Sequence, residues 1–185
     1  MRKLFGGMVL AAVALALPVT IHAQRRATVS MGGAKHEFGV DIGVAYAKPN
    51  GVDGGIVLQT PLDVRFGFVS TSKMQWEPRV SLQFSSVGGN TTYLFQPGVN
   101  VLFANTAGGN RRGMYFTGGA GLLLGDAGGG SGTAFSLNGG VGWRKPYGSA
   151  AWRYEVGFQW QSESADLGLP STIFIGGRIG LSLWH

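Results

Sequence analysis

STIFIGGRIGLSLWH, residues 171–185, ends the chain. Its odd positions hold Ile173, Ile175, Gly177, Ile179, Leu181 and Leu183, and its even positions hold Phe174, Gly176, Arg178, Gly180, Ser182 and Trp184. One side is apolar along its length; the other carries an arginine, glycines and a serine. A repeat of two belongs to a β-strand whose faces meet different surroundings. The edge strand of a soluble sheet is usually short or blunted, and this strand is neither.

The same alternation recurs upstream. A first strand spans 36–47, with Phe38, Val40, Ile42, Val44 and Tyr46 on one face and Glu37, Gly39, Asp41 and Gly43 on the other. The second spans 56–69, with Leu58, Leu62, Val64, Phe66 and Phe68 facing out and Gln59, Asp63, Arg65 and Gly67 facing in. Pro61 inside it marks a bulge or local break, because proline cannot donate to a ladder. The third, 75–86, turns Trp76, Val80, Leu82 and Phe84 outward and Gln75, Glu77, Arg79, Ser81 and Gln83 inward. The fourth, 92–104, turns Tyr93, Phe95, Val99, Val101 and Phe103 outward and Gln96, Gly98 and Asn100 inward. The fifth, 114–124, puts Met114, Phe116, Leu122 and Leu124 outside. The sixth, 133–144, opposes Phe135, Leu137, Val141 and Trp143 to Ser136, Asn138, Gly140 and Arg144. The seventh, 150–161, opposes Trp152, Tyr154, Val156, Phe158 and Trp160 to Arg153, Glu155, Gly157, Gln159 and Gln161.

Turn chemistry separates them: Lys48-Pro49-Asn50-Gly51, Thr71-Ser72-Lys73, Gly88-Gly89-Asn90 and Lys145-Pro146-Tyr147-Gly148 read as tight turns, 105–113 and the glycine-rich 125–132 as loops, and 162–170 as a polar loop. The GDAGGGSG text of the glycine-rich loop lacks the Lys-Ser/Thr pair and the helix of a phosphate loop. Eight strands of this length match what a tilted strand needs to cross a bilayer, and eight antiparallel strands can close and remove every edge. The fold class expected is therefore all-β, an eight-stranded antiparallel up-and-down transmembrane β-barrel.

The N-terminus, MRKLFGGMVLAAVALALPVTIHAQ, has a basic start at Arg2 and Lys3, an apolar run over 8–17 and a small residue at Ala23. This is the layout of a cleavable secretory signal peptide over 1–23. The domains read as that signal, a polar and basic arm at 24–35 and the barrel at 36–185. Removing the signal leaves 13 basic and 9 acidic residues, a net charge of +4. The chain has no cysteine and 33 glycines in 185 residues. An exported protein without disulfides needs another source of stability, such as a closed hydrogen-bond ladder or a lipid solvent.

The ending Gly180-Leu181-Ser182-Leu183-Trp184-His185 resembles the C-terminal signal of bacterial outer-membrane barrels, in which a glycine, a hydrophobic residue and a terminal aromatic are spaced in this way. His185 stands where that family usually has Phe or Trp. The whole exported chain resembles the small outer-membrane β-barrel family. The resemblance implies that the last strand closes the barrel, that Gly180, Leu183 and His185 form the assembly signal, and that the barrel-assembly machinery is a partner during biogenesis. It implies a membrane protein of the Gram-negative outer membrane, surrounded by its lipids, with both termini periplasmic.

Charge placement tests the reading from within. Ten charges fall on the inward faces: Glu37, Asp41, Asp63, Glu77 and Glu155 against Arg65, Arg79, Arg144, Arg153 and Arg178. None falls on an outward face, where a midplane Arg or Lys would cost about 2–4 kcal/mol. An eight-stranded lumen is only wide enough to be filled by side chains, so paired charges suit it, and guanidinium forks suit carboxylates. The closing strand must bond the first, so Arg178 is expected to pair with Asp41 or Glu37. Inward glycines such as Gly39, Gly43, Gly140, Gly157 and Gly176 are expected to admit water. Aromatics near strand ends (Tyr46, Trp76, Tyr93, Phe103, Trp143, Trp152, Trp160) suggest interfacial girdles. With periplasmic termini, the outer loops hold Asp53, Asp126, Glu163 and Asp166 against Lys48, while the periplasmic arm and turns hold Arg25, Arg26, Lys35, Lys73, Arg111, Arg112 and Lys145 with no acid.

Chemistry is sparse. The histidines are His22, His36 and His185, so no His-Ser-Asp set assembles inside the barrel and no metal spacing exists. Glu37 and Asp41 could be an acid–base pair, but salt-bridge partners are the simpler reading. The positive charge is dispersed along turns, which argues against nucleic acid as a partner. The function expected is a non-enzymatic integral barrel, structural and membrane-stabilising or at most a narrow, porin-like pore with a salt-bridged lumen, monomeric and without cofactor. The alternatives are a soluble periplasmic barrel binding a small apolar ligand and a lipid-modifying outer-membrane enzyme.

Overall fold

A computed structural model describes residues 35–51, 53–87, 90–104, 112–127 and 130–184. The expected signal peptide and nearly all of the N-terminal arm lie outside the described residues, as does His185. Eight strands follow in order: β1 (His36–Pro49), β2 (Gly55–Val69), β3 (Met74–Val87), β4 (Asn90–Ala104), β5 (Gly113–Ala127), β6 (Gly130–Tyr147), β7 (Ala150–Gln161) and β8 (Thr172–Trp184). Each pairs antiparallel with its sequence neighbours, and β8 returns to pair with β1, so the sheet is a closed barrel.

Closure follows from the pattern that the terminal strand shares with the others. β8 meets β1 from Glu37↔Trp184 to Pro49↔Thr172 without a slip, and β7 on its other side from Ala150↔Leu183 to Gln161↔Thr172. A strand whose two faces differ tolerates only one register on each side, since a one-residue slip would invert it. Pro61 sits within a local irregularity. Between Asp41↔Asp63 and Gly43↔Gln59, β1 advances two residues while β2 advances four. The extra residues on β2 are those around the proline, a bulge of the kind that removes a donor from the ladder and sharpens the local twist.

Two expected loops are tighter than the glycine content suggests. The stretch 125–132 is mostly strand, with β5 running on to Ala127 and β6 starting at Gly130, paired down to Ala127↔Gly130. Strand β6 also continues through Lys145, Pro146 and Tyr147, leaving Gly148 and Ser149 as the turn. Gly148 has φ 60°, which the first residue of a primed two-residue hairpin turn requires. Proline is accepted at position 146 because it lies at the strand's end. The polar loop 162–170 is not loose: Ser164 and Leu169 exchange backbone hydrogen bonds at 2.8 and 3.0 Å, and Leu167 is buried.

The interior is polar and the exterior apolar. Burial alternates along β7, where Arg153, Glu155, Gln159 and Gln161 are buried while Trp152, Tyr154, Val156 and Phe158 are exposed. The same parity places Tyr115, Thr117 and Leu123 of β5 inside and Phe116, Leu122 and Leu124 outside. Of the expected girdle, Tyr46, Trp76, Phe103, Trp143 and Trp152 are exposed. Trp160 is only half-buried, with its Nε1 donating to Ser171 Oγ at 3.2 Å, and the Tyr93 side chain lies outside the described set.

Candidate functional site: an ion-paired barrel interior

The ten inward charges form one connected web. Its hub is Arg65 on β2, whose side chain is fully buried. Its Nη1 donates to Glu37 Oε1, its Nε to Asp41 Oδ2 at 2.7 Å, and its Nη2 to Ser182 Oγ at 3.0 Å. One guanidinium thereby joins β2, β1 and β8 across the seam where the barrel closes. Glu37 also accepts from Arg144 Nη2 on β6 at 2.6 Å and from Gln75 Nε2 on β3 at 2.5 Å. Arg153 of β7 donates to Glu77 Oε2 of β3 at 2.5 Å and to Glu155 Oε2 at 2.6 Å. Its Nε donates to the Tyr115 hydroxyl, which in turn donates to Glu155 Oε2 at 3.0 Å. Arg144 also lies over the rings of Tyr115 and Trp184, 5.0 and 5.2 Å from their centroids.

Arg79 extends the web toward the far end, the end opposite His36 and Trp184, reaching Asp63 Oδ2 at 2.6 Å and Asp41 Oδ2 at 3.1 Å. Arg178 corrects the expected pairing. It lies opposite Gly43, while Gly180 lies opposite Asp41. Asp41 is already taken by Arg65 and Arg79, and Arg178 faces Asp63 at 3.5 Å and Glu155 at 3.7 Å instead. It is also the loosest cation of the web, with 20% of its side chain exposed.

Glycines make room for this packing. A Cβ at Gly39 would stand 2.3 Å from Arg65 Cζ, one at Gly142 would stand 2.0 Å from Tyr115 Cζ, and one at Gly180 would stand 1.6 Å from Asp41 Oδ1. Each glycine is the direct cross-strand partner of the side chain it admits. Gly140 and Gly157 face one another with backbone contact, and Gly176 packs on Ala45. Of the glycines expected to admit water, Gly43 lines a polar cavity of about 60 Å³, and Gly157 and Gly176 line a smaller one of about 20 Å³. The larger cavity is walled by Asp63, Ser81, Gln96, Asn138, Gln159 and Arg178 and has room for only a few water molecules.

Below that cavity every strand contributes a side chain exposed by 2% or less: Glu37, Arg65, Gln75, Glu77, Leu102, Tyr115, Arg144, Arg153 and Ser182. A passage wide enough for water would leave its lining accessible, and these side chains are not. The far mouth is narrowed as well. Leu167 of the 162–171 connection lies where a Cβ at Gly132 would meet it at 2.8 Å, on the inward side that Gly132 shares with the buried Ala134 and Ser136.

Tyr115 and Leu102 are members of the interior that the sequence reading did not single out, while Ser182 and Trp184 lie on the arginine-bearing face read for the last strand. The signal was parity together with a cross-strand glycine, as with Tyr115 opposite Gly142. In the terminal segment, Gly180 packs on Asp41 and Leu183 is exposed on the outer wall, while His185 lies outside the described residues. Among the described residues, no three His, Cys, Asp or Glu side chains are grouped to hold a metal ion.

No family model matches the chain, and no curated protein matches it either. Solved structures do. Neisserial surface protein A aligns with a TM-score of 0.56 at 12% identity, covering 83% of this chain and 99% of that one. Ail of Yersinia pestis aligns at 0.48 with 10% identity, covering 82% and 97%, and OprG of Pseudomonas aeruginosa at 0.40 with 11%, covering 82% and 96%. The fold is thus that of a small eight-stranded barrel of the kind seen in Neisserial surface protein A.

Proposed function

We propose that the protein is an integral outer-membrane barrel, non-enzymatic and non-conducting, that acts as a structural element of that membrane. The apolar belt supports the location. Ile42, Phe66, Leu82, Phe116, Val156, Ile175 and their outward neighbours are exposed around the wall, and a belt of this extent requires an apolar covering. Lipid is the covering that an edgeless barrel fits, because its backbone groups are satisfied internally. Both termini then face the periplasm, and Gly180, Leu183 and His185 form the segment engaged by the barrel-assembly machinery. The protein is read as a monomer, since closure leaves no strand edge for a second copy.

The observation that carries the closed-lumen reading is the buried layer of Arg65, Glu37, Glu77, Arg144 and Arg153, all exposed by 2% or less. A narrow pore would need water-accessible atoms at every level. Planar-bilayer recording of the purified barrel is expected to give no resolved conductance steps, with insertion confirmed independently. Reproducible ion-conducting steps from inserted protein would overturn the closed lumen and restore the pore. Carbonate extraction of cell membranes tests the location: release into the supernatant would make the protein soluble.

A further inference from the structure

The rim that bears the barrel's termini is uniformly basic. Its four connections are the chain entering β1, the β2–β3 turn, the β4–β5 connection and the β6–β7 turn, and they carry Lys35, Lys73, Arg112 and Lys145, all exposed. Among the described residues of this rim, no exposed one is Asp or Glu. The opposite rim carries, among the described residues, exposed Asp53, Glu163 and Asp166 against the single exposed cation Lys48.

A second observation fixes the height of these cations. Each stands one or two residues beyond an aromatic on the outer wall. Lys145 stands two residues beyond Trp143 on β6 and is level with its cross-strand partner Trp152. Lys35 precedes His36, the partner of Phe68. Lys73 precedes Met74, the partner of Phe103, and Arg112 lies two residues before Met114, the partner of Trp143. Exposed Trp76, Trp143 and Trp152 all lie at this rim. Aromatic rings of this kind settle at the level of lipid headgroups, and long basic side chains just beyond them reach the phosphates.

We infer that this rim is a docking surface for the anionic phospholipid headgroups of the periplasmic leaflet, and that the barrel gathers such lipids around its base. The inference rests on the outer-membrane reading, which sets the rim in that leaflet. The chemistry recognised is a phosphodiester with net negative charge, met by cations spread around the circumference rather than by one pocket. The acidic opposite rim lacks the same attraction, so selectivity belongs to one leaflet.

The test uses protein purified from outer membranes and reconstituted in phosphatidylcholine vesicles doped with brominated phosphatidylglycerol or brominated phosphatidylcholine. Quenching of the rim tryptophans reports which lipid surrounds them. At low salt the wild type should show a roughly two- to fivefold enrichment of the anionic lipid, falling toward unity at high salt as the charges are screened. The Lys35→Gln/Lys73→Gln/Arg112→Gln/Lys145→Gln variant should lose the enrichment, and Lys48→Gln should keep it. These are exposed positions, so folding should survive, and unchanged gel mobility before and after boiling checks that it does. Equal quenching by both lipids at low salt, or enrichment that persists in the quadruple variant, would overturn the inference. So would salt-sensitive retention on a polyaspartate matrix without lipid selectivity, which would assign the rim to an acidic soluble polymer. Failure to insert into vesicles at all would instead count against the outer-membrane reading itself.

Discussion

Arg65 and Arg178 are both inward arginines, yet they hold different positions in the web. Arg65 is fully buried and donates to Glu37, Asp41 and Ser182; Arg178 is partly exposed and keeps 3.5 Å or more from Asp63 and Glu155. Removing a fully buried partner strands the carboxylates it neutralised, at a cost of about 3–5 kcal/mol. Removing Arg178, which is 20% exposed and holds its carboxylates at 3.5 Å or more, costs less than that. Arg65→Met should therefore lower the urea unfolding free energy in lipid vesicles far more than Arg178→Met. A double-mutant cycle should couple Arg65 strongly to Glu37 and leave Arg178 uncoupled from Asp41. Equal effects of the two arginines would mean that the web is evenly solvated. Parity along each strand makes the inward charges legible in sequence, because period two needs no tertiary information. The pairing is not legible: it depends on the stagger between β1 and β8, which sets Gly43 rather than Asp41 opposite Arg178, and on Arg65 reaching the same carboxylates from the other side.

Among the strands, the glycines of β5 and β6 carry the sharpest contrast. Gly142 is an inward residue whose missing side chain is the space for the Tyr115 ring. Gly118 is an outward residue with nothing nearer its absent Cβ than 3.8 Å. A methyl group at Gly142 must push the tyrosine away from Arg153 and Glu155, and overpacking of this kind costs about 1–3 kcal/mol. Gly142→Ala should lower the unfolding midpoint, and Gly118→Ala should leave it within about 0.5 kcal/mol of wild type. Comparable losses at both sites would show that displacement of the ring is not what decides. The same glycines misled the reading of strand ends. Runs such as 125–132 look like flexible loop by composition, yet β5 and β6 stay paired to Ala127↔Gly130. Neighbouring strands hold glycine in register where its own propensity would not. Inward glycine likewise suggests water: Gly43, Gly157 and Gly176 do line small polar cavities, whereas the space at Gly39 is taken by Arg65 and that at Gly140 by the neighbouring backbone.

For the molecule as a whole, the absence of an edge is the dominant fact. β1 and β8 are paired from Glu37↔Trp184 to Pro49↔Thr172, and every other strand is paired on both sides. A detergent that unfolds an open sheet begins where backbone groups are free, and here fraying has no starting strand. Inside, Arg65 bonds side chains on both strands that flank the seam, Glu37 and Asp41 of β1 and Ser182 of β8. Opening the seam therefore exposes charges as well as backbone, all of which must part together. Such cooperativity gives a high barrier to unfolding rather than a series of partial openings. Unboiled protein in SDS should consequently run as a compact species distinct from the boiled chain, with a sharp temperature of conversion between the two bands. Arg65→Met, by loosening the seam, should lower that temperature without abolishing the compact band, because the hydrogen-bond ladder remains closed. Identical mobility before and after boiling, in protein shown to be membrane-inserted, would mean that the strands close too weakly to resist detergent.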